Sequence, residues 1–255
     1  MQLIDTHTHL FLPEFDSDRA QVIENALQKG VYKMLLPNVD STTIENLVQL
    51  TKNYPEHFYQ MIGLHPTSVN KDFKHELGIV ENWLQKEKFI AIGEIGIDLY
   101  WDKTYLAQQQ EAFLHQINLA KKHDLPIAIH ARESFNEIFD ILKQEIDGNL
   151  KGVFHAFTGN LKQANQIIEW GFKIGIGGIV TFKNSGLDDI VKNIDINHIV
   201  LESDSPYLPP VPYRGKRNES AYILNIAEKI AQIKNLSLAD VAQITKENAK
   251  DLFRL

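Results

Sequence analysis

With 255 residues, the chain is long enough to bury a sizeable core, and its 26 lysines and arginines against 33 aspartates and glutamates leave a net charge of −7. That balance excludes a broad basic face that would coat a duplex, and the absence of cysteine excludes disulfides and thiolate-bound zinc. No basic-then-apolar leader opens the sequence and no apolar run approaches about 18 residues, so a cytoplasmic protein without a membrane partner is expected.

The opening run, residues 3–10, reads as a strand, in which alternate side chains share a face, so His7 and His9 point the same way. A helical stretch ending at Gly30 leads to a second strand at 31–36, which stops at Pro37. After a helix opened by Ser41 comes a third strand, 59–62, ending in Gly63-Leu64-His65-Pro66. A fourth, 89–92, ends in Gly93-Glu94, and the longest helical pattern follows at 105–123. The second half repeats the rhythm. Strands at 126–129, 152–154, 172–176 and 199–201 run into His130, His155, Gly177-Gly178 and Glu202-Ser203-Asp204, with helical patterns at 134–144, 161–170 and 186–193. Two further helices, 218–233 and 237–253, close the sequence, the second opened by a Ser-x-x-Asp cap. Eight strands alternating with helices predict a (β/α)8 TIM-type barrel, expected to be one domain over residues 1–255 because no linker composition interrupts it.

In such a barrel the C-terminal strand ends converge on one rim, where active sites are built. There the predicted strands place His7, His9, Glu94, His130, His155 and Asp204, six metal-ligating side chains from five strands. One ion of the zinc class takes three or four protein ligands, so six ligands with a bridging carboxylate suit two divalent ions, and Glu94 is the bridge candidate. Histidine mixed with carboxylate leans towards zinc or manganese and leaves magnesium open. Asp204 is the natural group to accept a proton from an attacking water, and Glu202, two residues earlier, could orient a histidine ligand. For substrate, His65 could donate to an oxygen and the Arg132 fork fits phosphate. The Pro-rich loop after Asp204 carries Arg214, Lys216 and Arg217 beside tyrosines that could stack on bases. Gly177-Gly178 fits either a phosphate turn or a close turn of the rim.

The blocks Ile4-Asp5-Thr6-His7-Thr8-His9, Gly63-Leu64-His65-Pro66, Gly93-Glu94-Ile95-Gly96-Ile97-Asp98, Ile129-His130-Ala131-Arg132, Val153-Phe154-His155-Ala156-Phe157-Thr158-Gly159, Leu201-Glu202-Ser203-Asp204-Ser205-Pro206-Tyr207-Leu208 and Arg214-Gly215-Lys216-Arg217-Asn218-Glu219 resemble the TatD family of metal-dependent hydrolases in order and spacing. Ala156, Thr158 and Ser220 depart from its usual pattern without touching a proposed ligand. The resemblance implies an amidohydrolase-like barrel in which His7, His9, Glu94 and Asp204 hold one ion and Glu94, His130 and His155 another. It further implies a deoxyribonuclease, a 3′-to-5′ exonuclease acting on single-stranded DNA, with a monomer as the expected state. The alternatives are a metal-dependent ester or amide hydrolase, removal of an amino acid from tRNA included, and a non-catalytic nucleic-acid-associated metal protein.

Overall fold

In the computed structural model, which describes residues 1–255, eight parallel strands alternate with helices. The strands are β1 (Leu3–Asp5), β2 (Val31–Leu36), β3 (Phe58–Gln60), β4 (Ile92–Asp98), β5 (Ile127–Arg132), β6 (Gly152–Phe154), β7 (Lys173–Ile176) and β8 (Ile199–Leu201). The helices are α1 (Arg19–Gln28), α2 (Ile44–Asn53), α3 (Phe73–Lys86), α4 (Leu106–His123), α5 (Phe135–Glu145), α6 (Leu161–Glu169), α7 (Leu187–Asn193), α8 (Ile223–Lys234) and α9 (Leu238–Phe253).

The strands read as near-continuous apolar runs because helices cover their outer face and the barrel interior their inner one; every residue of β4, β6 and β8 is buried. Strands β1–β2–β3 and β4 to β8 make two parallel ladders. A bridge between Ile62 and Ile92 joins β3 to β4, and Thr6 N–H donates to the Leu201 carbonyl at 3.0 Å, joining β8 to β1. The result is a TIM-type barrel. Ile4, Leu35, Ala128, Val153 and Val200 from five strands form one packed cluster with Met61 and Ala91, and Ala249, Leu252 and Phe253 of α9 complete it. The larger core lies between the strands and the surrounding helices. Asn160 and Gln163 form a full capping box on α6, and Ser237 caps α9 through the Asp240 N–H, as its sequence predicts.

Three of the boundaries that differ from those expected bear on the rim. Strand β4 starts at Ile92 rather than ending there, so Glu94 lies inside it and Asp98 ends it. The glycines that read as a strand end instead let β4 approach β5: a Cβ on Gly93 would sit 2.7 Å from the Ala128 Cβ, and one on Gly96, at φ +143°, 2.1 Å from the His130 carbonyl oxygen. Strand β5 continues through His130 to Arg132. Strand β1 is only three residues, and His7 and His9 follow it outside regular structure.

Candidate metal centre

The tails of β1 and β8 run side by side. Asp204 N–H donates to the His7 carbonyl at 2.9 Å, and His9 N–H donates to that of Ser205 at 2.8 Å. Asp5 clamps the pair: its Oδ1 accepts from Ser203 N–H at 2.8 Å and its Oδ2 from the Ser203 hydroxyl at 2.6 Å. Burial pushes the Asp5 carboxyl up to about 7 against these hydrogen bonds. Asp204 has φ +57°, a left-handed conformation that aspartate tolerates better than most residues. The tails of the first and last strands thus place His7, His9 and Asp204 together, with His9 Nε2 3.6 Å from Asp204 Oδ1.

Glu94 stands between two groups of imidazoles. Its Oε2 is 3.0 Å from His7 Nε2 and 3.7 Å from His9 Nε2. Its Oε1 is 2.8 Å from His130 Nδ1 and 3.3 Å from both His155 Nε2 and His65 Nε2. Each carboxylate oxygen therefore faces a different set of donors, the arrangement expected of a bridge. The groups His7–His9–Glu94, His7–His155–Asp204 and His65–Glu94–His130 each gather donor atoms within 4.8 Å of one another. His65, expected near substrate, lies in this cluster, its ring 4.6 Å from that of His130.

The outer nitrogens of these rings are held in turn. His130 Nε2 lies 2.9 Å from Asp98 Oδ2, which leaves Nδ1 for the centre. His65 Nδ1 accepts from Thr67 N–H, which fixes its tautomer with the proton on Nε2 in the neutral ring. His155 Nδ1 is 3.2 Å from Glu202 Oε1, and that oxygen also accepts from Ala156 N–H. Glycine makes room for Glu202: a Cβ on Gly175 would come within 2.4 Å of its Oε2. Asp98 escaped the sequence reading, although Glu94, Gly96 and Asp98 alternate on one face once β4 is continued; ending the strand at Gly93-Glu94 hid that signal.

The donor chemistry fits divalent ions. His7, His9, Glu94, His155 and Asp204 are all nearly buried, and His7 Nδ1, His9 Nδ1 and Glu202 Oε2 have no hydrogen-bond partner. Burial works to raise the Glu94 carboxyl, but the imidazoles of His155, His65 and His7 hold it well below the usual range. Burial likewise disfavours charge on His155, yet Glu202, Glu94 and Asp204 hold it up at about 10. No lysine or arginine pairs with any of these three carboxylates, so they call for positive charge at the centre of the site. Histidine nitrogens and carboxylate oxygens without thiolate are donors for zinc, manganese or magnesium.

Around the rim, Arg132 leaves β5 with its guanidinium 3.8 Å from the Tyr100 ring centre, and Arg214 lies 4.4 Å over Phe182. Arg217 is committed elsewhere. It makes a two-pronged pair with Asp18 at 2.9 and 2.7 Å and donates to the Glu14 carbonyl, which pins the Pro-rich loop to the start of α1. Lys216 is exposed. The loop tyrosines divide as well: Tyr213 stacks on Tyr222 at 3.7 Å, while Tyr207, half exposed, lies 6.1 Å from the His9 ring. At Gly178 a Cβ would meet the Leu208 carbonyl oxygen at 2.2 Å, so this glycine serves the close turn of the rim under the Pro-rich loop.

A TIM-type barrel with a buried histidine–carboxylate cluster at its C-terminal rim has the architecture of a metal-dependent enzyme. Comparison with known proteins agrees: residues 4–254 match the family model described as TatD related DNase. YabD of Bacillus subtilis, named an uncharacterized metal-dependent hydrolase, is 38% identical over 254 residues, which cover 99% of each chain. The crystal structure of YjjV, a TatD homolog from Escherichia coli, superposes with a TM-score of 0.93 at 29% identity, covering 99% of this chain and 98% of that one. A phosphotriesterase homology protein from Escherichia coli, solved with phosphate in its active site, shares the fold at a TM-score of 0.74 and 15% identity, covering 99% and 98%. The chain belongs to the TatD family.

Proposed function

We propose that this hydrolase cleaves phosphodiester bonds of DNA, trimming single strands from the 3′ end. The observation that carries the reading is Glu94, with one oxygen towards His7 and His9 and the other towards His130, His155 and His65. His7, His9, Glu94 and Asp204 would hold one divalent ion, and Glu94, His130 and His155 a second. Bound there, such ions lower the pKa of water and neutralise charge building on phosphoryl oxygens.

The remaining work falls to the chain itself. Asp204 accepts the proton of the attacking water: burial tends to raise its carboxyl, but the imidazoles of His155, His9 and His7 hold it below its ordinary value, so it is ionised at neutral pH. Its side chain, 12% exposed, is more open than that of Glu94 at 2%, which gives it the face turned to solvent and substrate. Asp98 and Glu202 keep the His130 and His155 rings turned with one nitrogen inward. His65 donates through Nε2 to a substrate oxygen. Arg132, Arg214 and Lys216 grip phosphate, supplying locally the positive charge that the whole chain lacks.

The test is metal-stripped protein given zinc, manganese or magnesium separately, assayed on single-stranded oligonucleotides labelled at the 3′ or the 5′ end. Stepwise loss from the 3′ end, restored by metal, is the expected result. Absence of cleavage with every ion would overturn the nuclease reading and leave a metal-dependent ester or amide hydrolase to be sought.

A further inference from the structure

Trp101 is the most exposed large apolar side chain of the protein, at 70%, and its neighbour Tyr100 is exposed by 51%. Both belong to the loop between β4 and α4, yet the loop is not loose at this point. Asp98 Oδ1 accepts from the backbone N–H of Tyr100 at 2.9 Å and of Trp101 at 3.1 Å, while its Oδ2 faces His130 Nε2 at 2.9 Å. One carboxylate thus ties the two aromatic residues to a proposed metal ligand. Arg132, two residues beyond His130 on β5, lays its guanidinium 3.8 Å from the Tyr100 centroid and 5.3 Å from that of Trp101. Of the five arginines, Arg19, Arg217 and Arg254 pair with aspartates, whereas Arg132 has no carboxylate partner. Its five N–H donors remain free for a phosphate.

Beside this pair lies a cavity of about 340 Å³ whose lining includes Trp101, Tyr105, Thr67, Asn70, Gln109 and Asp102. Thr67 and Asp98, which hold His65 and His130, form part of the same wall, so the cavity adjoins the metal centre through those two rings. Aromatic faces mixed with amide, hydroxyl and carboxylate groups suit a nucleobase, which stacks on one and hydrogen-bonds to the others. The aspartates in the wall repel phosphate, so an uncharged base enters while its phosphate stays at Arg132.

We propose that Trp101, with Tyr100 and this cavity, is the seat of the terminal base of the substrate strand, and that Arg132 holds the adjoining phosphate at the mouth of the centre. The proposal rests on the nuclease reading and deepens it. A base can reach the seat only after leaving its partner strand, so Trp101 sets the preference for single strands.

The test uses metal-loaded Asp204→Asn protein, to stop turnover, with and without Trp101→Ala, and two 5′-fluorescein oligonucleotides identical except that one ends in an abasic deoxyribose. Binding is read by anisotropy, and trimming of the intact oligonucleotide by the otherwise unsubstituted protein is followed alongside. Trp101→Ala should weaken binding of the intact oligonucleotide about 10-fold, the loss of one stacked base, and leave the abasic one, already weak, unchanged. Trp101→Phe should restore most of the difference, and Arg132→Gln should weaken both oligonucleotides. Trimming with Trp101→Ala affecting neither oligonucleotide, or both equally, overturns the base seat while the nuclease reading stands. Neither binding nor trimming of the intact oligonucleotide overturns the nuclease reading, and the base seat with it.

Discussion

Asp98 Oδ2 stands 2.9 Å from His130 Nε2, so the imidazole turns its Nδ1 to Glu94 Oε1, 2.8 Å away. Asp98 is almost wholly buried, and Gln109 braces it by donating to its backbone carbonyl from α4. Carboxylates in this position fix the tautomer of a metal-binding histidine and raise its basicity. Asp98→Ala should therefore lower metal affinity about 10–100-fold with the fold retained. Isothermal titration with zinc, beside a circular dichroism spectrum, decides it: an unchanged affinity would mean that β5 alone orients His130.

Asp204→Asn removes the proposed proton acceptor while keeping the shape of the side chain. A positioned general base contributes about 10²–10⁴-fold, so kcat should fall by at least about 10²-fold. Metal content measured on the same sample separates lost chemistry from lost ions. Full activity with metals still bound would remove Asp204 from the role of base.

Gly175→Ala should destabilise the barrel, because the new methyl would lie 2.4 Å from Glu202 Oε2 and 3.1 Å from the His155 Cα, both buried. Overpacking of this kind costs about 1–3 kcal/mol. Gly177→Ala provides the contrast: its Cβ would find no atom nearer than 3.6 Å, and its φ of −109° suits any residue. Urea midpoints of the two variants should differ, with Gly175→Ala the lower; equal midpoints would mean that Glu202 shifts freely.

Arg217→Ala should loosen the Pro-rich loop at a stability cost below about 1 kcal/mol, since the Asp18 pair is partly exposed. The hydrogen bond from Arg217 holds the Asp18 carboxyl below its usual value. The ionised carboxylate is thus the favoured folded form, so the contribution is complete above about pH 4 and fades as pH falls through the lower folded value. Thermal melts of the two proteins should differ near neutrality and converge in acid. Arg214→Ala, with its guanidinium over Phe182 rather than on an aspartate, should instead weaken DNA binding and flatten its salt dependence.

Much of the barrel is legible in the chain because its determinants are local. Apolar runs such as Ile199-Val200-Leu201 and caps such as Ser237 with Asp240 need only near neighbours to declare themselves, and strand exits place His7, His9, Glu94, His130, His155 and Asp204 on one rim. Tertiary structure decided which partners each side chain takes. Glycine reads locally as a strand end, and only contact with Ala128 and His130 explains Gly93 and Gly96 inside β4 and carries Asp98 to the centre. Arg132 and Arg217 look alike in the sequence, as basic residues beside a candidate ligand or loop. Packing binds Arg217 to Asp18, 199 residues away, and leaves Arg132 free on Tyr100. Pairings at such separations depend on loop closure and burial across the whole barrel, which no local pattern encodes.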